Sequence, residues 1–288
     1  MKILVTGCKG MLGRDCMDYL AVAQEPVGVD LEDGDLALAG IAEDICQRVD
    51  PQWIVHCAAW TDVDGAESAP DQAHSANVTA TENLAGWCGR SGCGLTYIST
   101  DYVFSGADAG GGYDEEEPRD PVNRYGLTKA QGEEIVAALS TPWQIVRTSW
   151  LFGDGPVNFP RTILRLLSQR ESLSVVNDQE GCPTFTRDLA HVIGFLVHRG
   201  LGGIFHATNS GVCTWYDLAR EVAVLTGSDP DRIQPCGSDV YPRPAVRPNC
   251  SVLRSRRLEE AGCPARPGWQ DALARYLPLL TSGRSRFQ

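Results

Sequence analysis

Through the first half of the chain, short apolar runs alternate with longer stretches whose apolar residues recur at helical spacing. Lys2–Thr6 reads as a short buried strand, and an apolar helix opens after Gly7-Cys8-Lys9-Gly10 and runs through Leu20. Further strands are expected at 26–29, 53–57, 94–99 and 143–147, with one helix over about 70 to 90 and another carrying Tyr125 and Lys129. This alternation predicts an α/β chain built on a doubly wound parallel sheet. Ligands of such sheets bind beyond the carboxyl ends of the strands. There the sequence places Gly7, Asp30, Ala58-Ala59-Trp60-Thr61 and Thr100. A glycine-rich acidic loop, 105–123, precedes the Tyr125 helix and reads as a flexible rim.

From about residue 156 the pattern loses regularity, with helices expected near 161–169, 188–198 and 214–226 and a strand at 173–176. The expected division is therefore 1–155 as the ligand-binding sheet domain with the reactive residues. Residues 156–288 form a smaller, mainly substrate-binding region over the mouth of the sheet, with some segments returning to it.

The turn after the first strand is Gly7-x-x-Gly10-x-x-Gly13, a strand, glycine turn and helix. Glycines let backbone approach a pyrophosphate closely, and the unpaired N–H groups of a helix start favour the anion. Asp30 ends the second strand about 20 residues on, where an acid bonds adenosine ribose hydroxyls. A nicotinamide dinucleotide is the expected cofactor. The Asp30 carboxylate should repel a 2′-phosphate, whereas Lys9 and Arg14 could offset it, so NADPH and NADH both stay open. Tyr125 and Lys129, four apart, share one helix face. A buried or charge-paired Lys can bring a phenol's pKa down from about 10, which suits it to acid–base work nearer neutrality.

Composition narrows the partners. The chain has 288 residues, 43% hydrophobic and 22% charged, as in an ordinary globular enzyme. No apolar run approaches the roughly 20 residues of a membrane span, so a cytoplasmic protein is expected. Eleven cysteines without a C-x-x-C pair read as buried reduced thiols and name no metal ligands. A net charge of -12 argues against nucleic acid or an anionic membrane as partner. Local groups must then hold any anionic substrate. The stretch 241–248 carries Arg243 and Arg247, with Arg254, Arg256 and Arg257 beyond. Arginine forks suit phosphates, so this proline-stiffened loop either clamps a diphosphate, with Arg247 as its substrate-binding residue, or is simply solvated.

The glycine turn together with Thr100, Tyr125 and Lys129 resembles the extended short-chain dehydrogenase/reductase superfamily, with its Rossmann-like sheet. Residues 57–67, 99–104, 147–153 and 176–184 are similar to its dTDP-4-dehydrorhamnose reductases, and the likeness runs through Thr214-Trp215-Tyr216-Asp217 and the 241–248 loop. The resemblance implies reduction of the 4-keto group of a dTDP-linked 6-deoxyhexulose, usually with NADPH. It implies Tyr125 as proton donor, Thr100 bonding the same oxygen, and Lys129 on the nicotinamide ribose. Gly10, Met11 and Leu12 would contact the cofactor diphosphate, Asp30, Asp35 and Leu36 the adenosine end, and Ala58, Ala59 and Trp60 the wall after the third strand. Asp101 would join Thr100 on the substrate, and Trp150 would pack on the sugar nucleotide. Some relatives place Mg2+ at a homodimer contact through Glu; Asp15 stands at the first-helix position here, so Mg2+ and the dimer stay open. A 4,6-dehydratase would need Asp-Glu after the Thr, where this chain has Asp101-Tyr102. A 4-epimerase shares the fold and catalytic residues. The regulatory subunit of methionine adenosyltransferase is the non-catalytic alternative.

Overall fold

The computed structural model describes residues 1–38, 40–107 and 111–281. It begins with β1 (Lys2–Thr6), α1 (Met11–Leu20), β2 (Glu25–Val29), α2 (Ile41–Val49) and β3 (Trp53–His56). Next come α3 (Val63–Ser68), α4 (Pro70–His74), a π-helical turn (Ser75–Thr79), α5 (Ala80–Ser91), β4 (Gly94–Thr100), α6 (Arg124–Ala137) and β5 (Trp143–Thr148). Beyond these lie β6 (Leu151–Phe152), α7 (Phe159–Leu167), β7 (Leu173–Val176), β8 (Glu180–Gly181), β9 (Thr184–Phe185), α8 (Thr186–Arg199) and β10 (Gly203–His206). The chain closes with β11 (Cys213–Thr214), α9 (Trp215–Leu225), β12 (Ile233–Cys236), α10 (Arg256–Glu260) and α11 (Trp269–Thr281).

Six parallel strands in the order β2-β1-β3-β4-β5-β10 form the central sheet. Alternation along β1 sends Ile3 and Val5 into the core beneath α1 and α8, and Leu4 into the core beneath α2 and α5. From β1 the chain runs outward to β2 and then crosses back to β3, so strand order reverses between β1 and β3. That crevice is where such sheets take their ligands.

Three features depart from the pattern reading. The helix expected over 70–90 is α4 and α5 joined through the π turn, which carries Asn77. Residues 41–49, read as no element, form α2, with Ala42, Ile45, Cys46 and Val49 buried on one stripe. The edge strand β10 was also unread; it pairs with β5, while α8 packs on α1, so a strand and helix from beyond residue 156 complete the sheet. A separate core, centred on Phe152, Phe185, Leu218, Leu273 and Tyr276, holds α7, α9 and α11 together.

The acidic loop after β4 is not a loose rim over its described part. Tyr113 stacks on Phe104 at 4.2 Å, and its backbone exchanges hydrogen bonds with Val252 and Arg254 at 2.8 Å each. Glu115 is buried and accepts from the N–H groups of His206 and Arg257. Residues 108–110 of that loop lie outside the described residues.

Candidate active site

The glycine turn is built for close approach. Gly7 has φ 64, and a Cβ there would sit 2.7 Å from the Ala58 nitrogen, because the register Thr6↔His56 brings the two strand ends together. A Cβ on Gly13 would lie 2.1 Å from the Gly7 carbonyl oxygen. Both positions exclude side chains and leave backbone as the wall. Gly10 caps α1 with no side-chain acceptor, and the first turn of α1 carries no acid, so its N–H groups and positive dipole end face the crevice uncompensated. The sites of the expected dinucleotide's diphosphate and of this cradle therefore match in shape and sign.

A cleft of about 720 Å³ runs from this cradle across the ends of β1 to β5. Its lining includes the glycine turn with Met11 and Leu12, Asp30, Asp35 and Leu36 at one end, and Thr100, Asp101, Tyr125, Lys129 and Trp150 at the other, with Ala58, Ala59 and Trp60 between. Arg247 alone among the expected site residues is not on its wall. It packs 5.9 Å above the Tyr102 ring and pairs with Asp64 at 3.1 Å.

Asp30 is held by its own surroundings. Its carboxylate accepts from the N–H of Lys9 at 2.7 Å and of Leu31 at 2.9 Å, which ties the end of β2 to the glycine turn. The Lys9 ammonium pairs with Glu32, so its charge is already countered locally. The β3 end is fixed in another way. Thr6 Oγ1 bonds His56 Nδ1 at 2.7 Å and accepts from the Ala58 N–H, and burial pushes His56 down to about 3, keeping it neutral. The Trp60 backbone is clamped at both polar groups by Asn77, whose amide also donates to Thr128 on α6 at 2.9 Å. The π turn thus aims one side chain at both the cleft wall and the helix of Tyr125.

The polar end is built from buried side chains and is electrostatically tense. Lys129 is 2% exposed, its Nζ lies 4.0 Å from the centroid of the Tyr97 ring, and desolvation pushes it down to about 7 against the pull of Glu133. Glu133 is itself buried in a bidentate pair with Arg147, at 2.8 and 2.7 Å, and accepts from Ser99 at 2.6 Å. Burial also raises Tyr125, partly opposed by its hydrogen bond with Thr100, so the phenol rests as an acid. Thr100 spends its hydroxyl proton on Asp101 Oδ1 at 2.9 Å while accepting from the Tyr102 N–H. A protonated Asp101 frees that hydroxyl proton for a ligand oxygen. Burial pushes Asp101 up to about 7, which makes that state populated at neutral pH.

Trp150 holds φ 47, an uncommon conformation for a bulky residue, and its ring stacks on Trp215 with centroids 3.5 Å apart. Gly181 leaves room for it: a Cβ there would meet the indole at 2.4 Å. Trp150 and Trp215 line the cleft together.

The whole described architecture has counterparts. The family model described as RmlD substrate binding domain matches residues 1–282. The chain belongs to that family. A dTDP-4-dehydrorhamnose reductase of Mycolicibacterium smegmatis is 39% identical over 98% of this chain and 88% of its own length. A dTDP-4-keto-6-deoxy-D-glucose reductase of Streptomyces niveus is 40% identical over 98% of both. The crystal structure of dTDP-4-dehydrorhamnose reductase from Bacillus anthracis in complex with NADP superposes with a TM-score of 0.91 at 34% identity, over 96% of this chain and 98% of that one.

Seen as a member of the RmlD family, the chain has site residues that sequence reading passed over. Asn77 and Trp215 are the clearest. Asn77 sits in a helical stretch of mixed small and polar residues with no local mark of its contact to Trp60, and Trp215 meets Trp150 across 64 intervening positions. Asp15, one of the two acids on α1, is buried, accepts from Thr186 Oγ1 at 2.5 Å and pairs with Arg187 at 3.7 Å. Among the described residues no group of three or more His, Cys, Asp and Glu could hold a metal ion, and no helix is long and apolar enough to cross a membrane.

Proposed function

We propose that this protein reduces the 4-keto group of dTDP-4-dehydro-6-deoxy-L-mannose to give dTDP-L-rhamnose, as a cytoplasmic enzyme with NADPH as cofactor and NADH accepted. The observation that carries the reading is one cleft uniting a glycine cradle for a diphosphate with Tyr125, Lys129 and Thr100 at the far end. Names of the relatives supply the dTDP-sugar, and the Bacillus anthracis complex supplies NADP.

When bound, a dihydronicotinamide supplies the hydride for C4 of the sugar. The chain's own residues do the rest. Tyr125 gives its phenolic proton to the oxygen that becomes an alkoxide, and a phenol kept protonated by burial is the correct resting form for that direction. Thr100 bonds the same oxygen, with Asp101 supplying the proton that turns its hydroxyl outward. The Lys129 ammonium takes ribose hydroxyls and favours the tyrosinate left behind. Gly10, Met11 and Leu12 take the diphosphate, and Asp30, Asp35 and Leu36 the adenosine ribose. Ala58, Ala59 and Trp60 form the intervening wall, and Trp150 and Trp215 make an aromatic floor for the sugar nucleotide. Residues 156–288 serve mainly the substrate, while β10 and α8 belong to the sheet.

The Asp30 carboxylate stays near any 2′-phosphate while Lys9 is engaged by Glu32, which supports appreciable use of NADH. Absorbance at 340 nm with NADH and NADPH separately, and a coupled supply of the 4-keto sugar nucleotide, tests the reading. Stoichiometric loss of the reduced cofactor, with dTDP-L-rhamnose identified by NMR, supports it; turnover without added cofactor would mark a 4-epimerase and overturn it. The Streptomyces niveus relative favours one second reading, reduction of dTDP-4-keto-6-deoxy-D-glucose itself. The NMR product distinguishes the two. EDTA treatment and sedimentation test a Mg2+ requirement and a homodimer.

A further inference from the structure

Asp64 has no place in the chemistry above, yet it gathers one of the densest sets of long-range polar contacts in the chain. It lies in the first turn of α3, just after the cleft-wall residues Trp60 and Thr61. One carboxylate oxygen pairs with Arg247 at 3.1 Å and with Arg243 at 3.7 Å, and the other accepts the Ala245 N–H at 3.2 Å. Three contacts from one side chain hold three residues of the proline-stiffened strap 241–248, some 180 positions away. An acid at a helix start is ordinarily explained by the helix dipole. Here α3 has only six residues and the carboxylate reaches across to another segment, so the dipole does not account for its partners.

The strap has a second anchor, and that anchor is the catalytic helix. Asn123 caps α6 by accepting the Gly126 N–H at 2.8 Å, and its amide donates to the Val246 carbonyl at 2.9 Å. Glu67, one turn after Asp64, accepts the Arg124 N–H at 2.8 Å. Asp64 thus joins α3 to the strap and Glu67 joins it to Arg124, one residue before Tyr125, while the strap itself reaches Asn123, two residues before Tyr125. The strap returns the contact through Arg247, whose guanidinium lies over the Tyr102 ring, and Tyr102 meets Tyr125 edge-on at 6.1 Å. Tyr102 is on the cleft wall.

We infer that Asp64 is a positioning residue for the sugar nucleotide: it latches the 241–248 strap, and through Arg247 and Tyr102 the substrate end of the cleft, without touching the dinucleotide cradle. The role rests on the proposed reductase function, since it names the substrate that the strap serves. The latch removes freedom that the strap would otherwise lose when the substrate binds, so its effect falls on substrate affinity. Arg243 is exposed and adds little, whereas Arg247 and the Ala245 N–H are sheltered and carry most of the hold.

The test compares wild type, Asp64→Ala, Asp64→Asn and Arg247→Ala. Asp64→Ala should raise the KM for the sugar nucleotide about tenfold or more, with kcat changed less than about threefold and the Kd for NADPH, read by fluorescence, unchanged. Asp64→Asn keeps an acceptor for Ala245 but loses the charge, and should fall between. Asp64→Ala combined with Arg247→Ala should cost less than the sum of the two single changes. Hydrogen exchange supplies the readout that needs no turnover: peptides covering 241–248 should exchange faster in Asp64→Ala, with the glycine-turn peptides unaffected. An unchanged KM and unchanged exchange would overturn the latch, as would an equal loss of NADPH affinity. A wild type inactive on the sugar nucleotide would defeat the reductase reading, while faster strap exchange would still uphold the latch as a physical contact. If Asp64→Ala does not fold, Asp64→Asn and Arg247→Ala carry the same measurements.

Discussion

Binding of a nicotinamide dinucleotide should take up a proton above neutral pH, and Lys129 sets the amount. In the free protein this ammonium is 2% exposed and lies over the Tyr97 ring, and desolvation brings it to about 7. Glu133, the nearest acid on the same helix, cannot restore an ordinary value because Arg147 shares its charge. Ribose hydroxyls and a diphosphate in the cleft favour the charged form, so the bound state holds the proton over a wider range. A group with a pKa near 7 is about 10% protonated at pH 8 and about 90% protonated at pH 6. If the bound form stays charged, binding takes up about 0.9 proton at pH 8 and about 0.1 at pH 6, and affinity weakens about tenfold per pH unit above 7. Titration calorimetry in two buffers of different ionisation enthalpy, from pH 6 to 9, reads the uptake directly. Asp101 also titrates about 7, beside Thr100, Ser251 and Tyr125, so Asp101→Asn is measured in parallel. Uptake near zero throughout, or uptake that survives in Lys129→Met, would refute the reasoning.

Other consequences are checked more simply. Tyr125→Phe should lower kcat by at least about 10²-fold, the usual worth of a positioned acid, with NADPH affinity by fluorescence nearly unchanged; a variant as active as the parent removes Tyr125 from the chemistry. Gly13→Ala should abolish dinucleotide binding in the same titration, because its methyl would meet the Gly7 carbonyl oxygen at 2.1 Å. Arg147→Met removes the bidentate partner of buried Glu133, leaving it the longer contact with Arg119 at 3.5 Å, and should cost about 3 kcal/mol in urea unfolding, with Glu133→Leu in the same chain recovering much of the loss. Between pH 7 and about 8.5 the free protein should gain stability as pH rises. Lys129 has a folded pKa below its unfolded one, so the unfolded chain binds the extra proton in that window. The slope should flatten in Lys129→Met when unfolding is followed by fluorescence.

What the sequence made legible, and what it hid, follows one physical division. Gly7 and Asp30 directly follow β1 and β2, Ala58 lies just past β3 and Thr100 ends β4, and a parallel sheet brings the ends of its strands together whatever the helices do. Tyr125 and Lys129 were readable because four residues on a helix fix their common face. Local order thus placed the expected cofactor and catalytic residues on one cleft. The hidden features are pairings that no short segment encodes: Asn77 with Trp60, Trp215 with Trp150, and Asp64 with the strap. Arg247 belongs to that group, since its charge was visible but its partner was not. The same division explains the missed elements. Four-residue β10 has too few positions to show a period and takes its identity from β5, and the stripe of Ile45, Cys46 and Val49 on α2 needs the sheet face to distinguish it from a turn. It also explains why Tyr113 anchors a loop whose glycines and acids suggested motion: the order comes from Phe104 and residues 252–254, which meet it only in the folded chain. Residues adjacent to strand ends should therefore govern cofactor binding, whereas the long-range pairs should govern how firmly the substrate end is held. Substitutions at Gly13 and Asp64 separate these two effects, one in Kd for the dinucleotide and the other in KM for the sugar nucleotide.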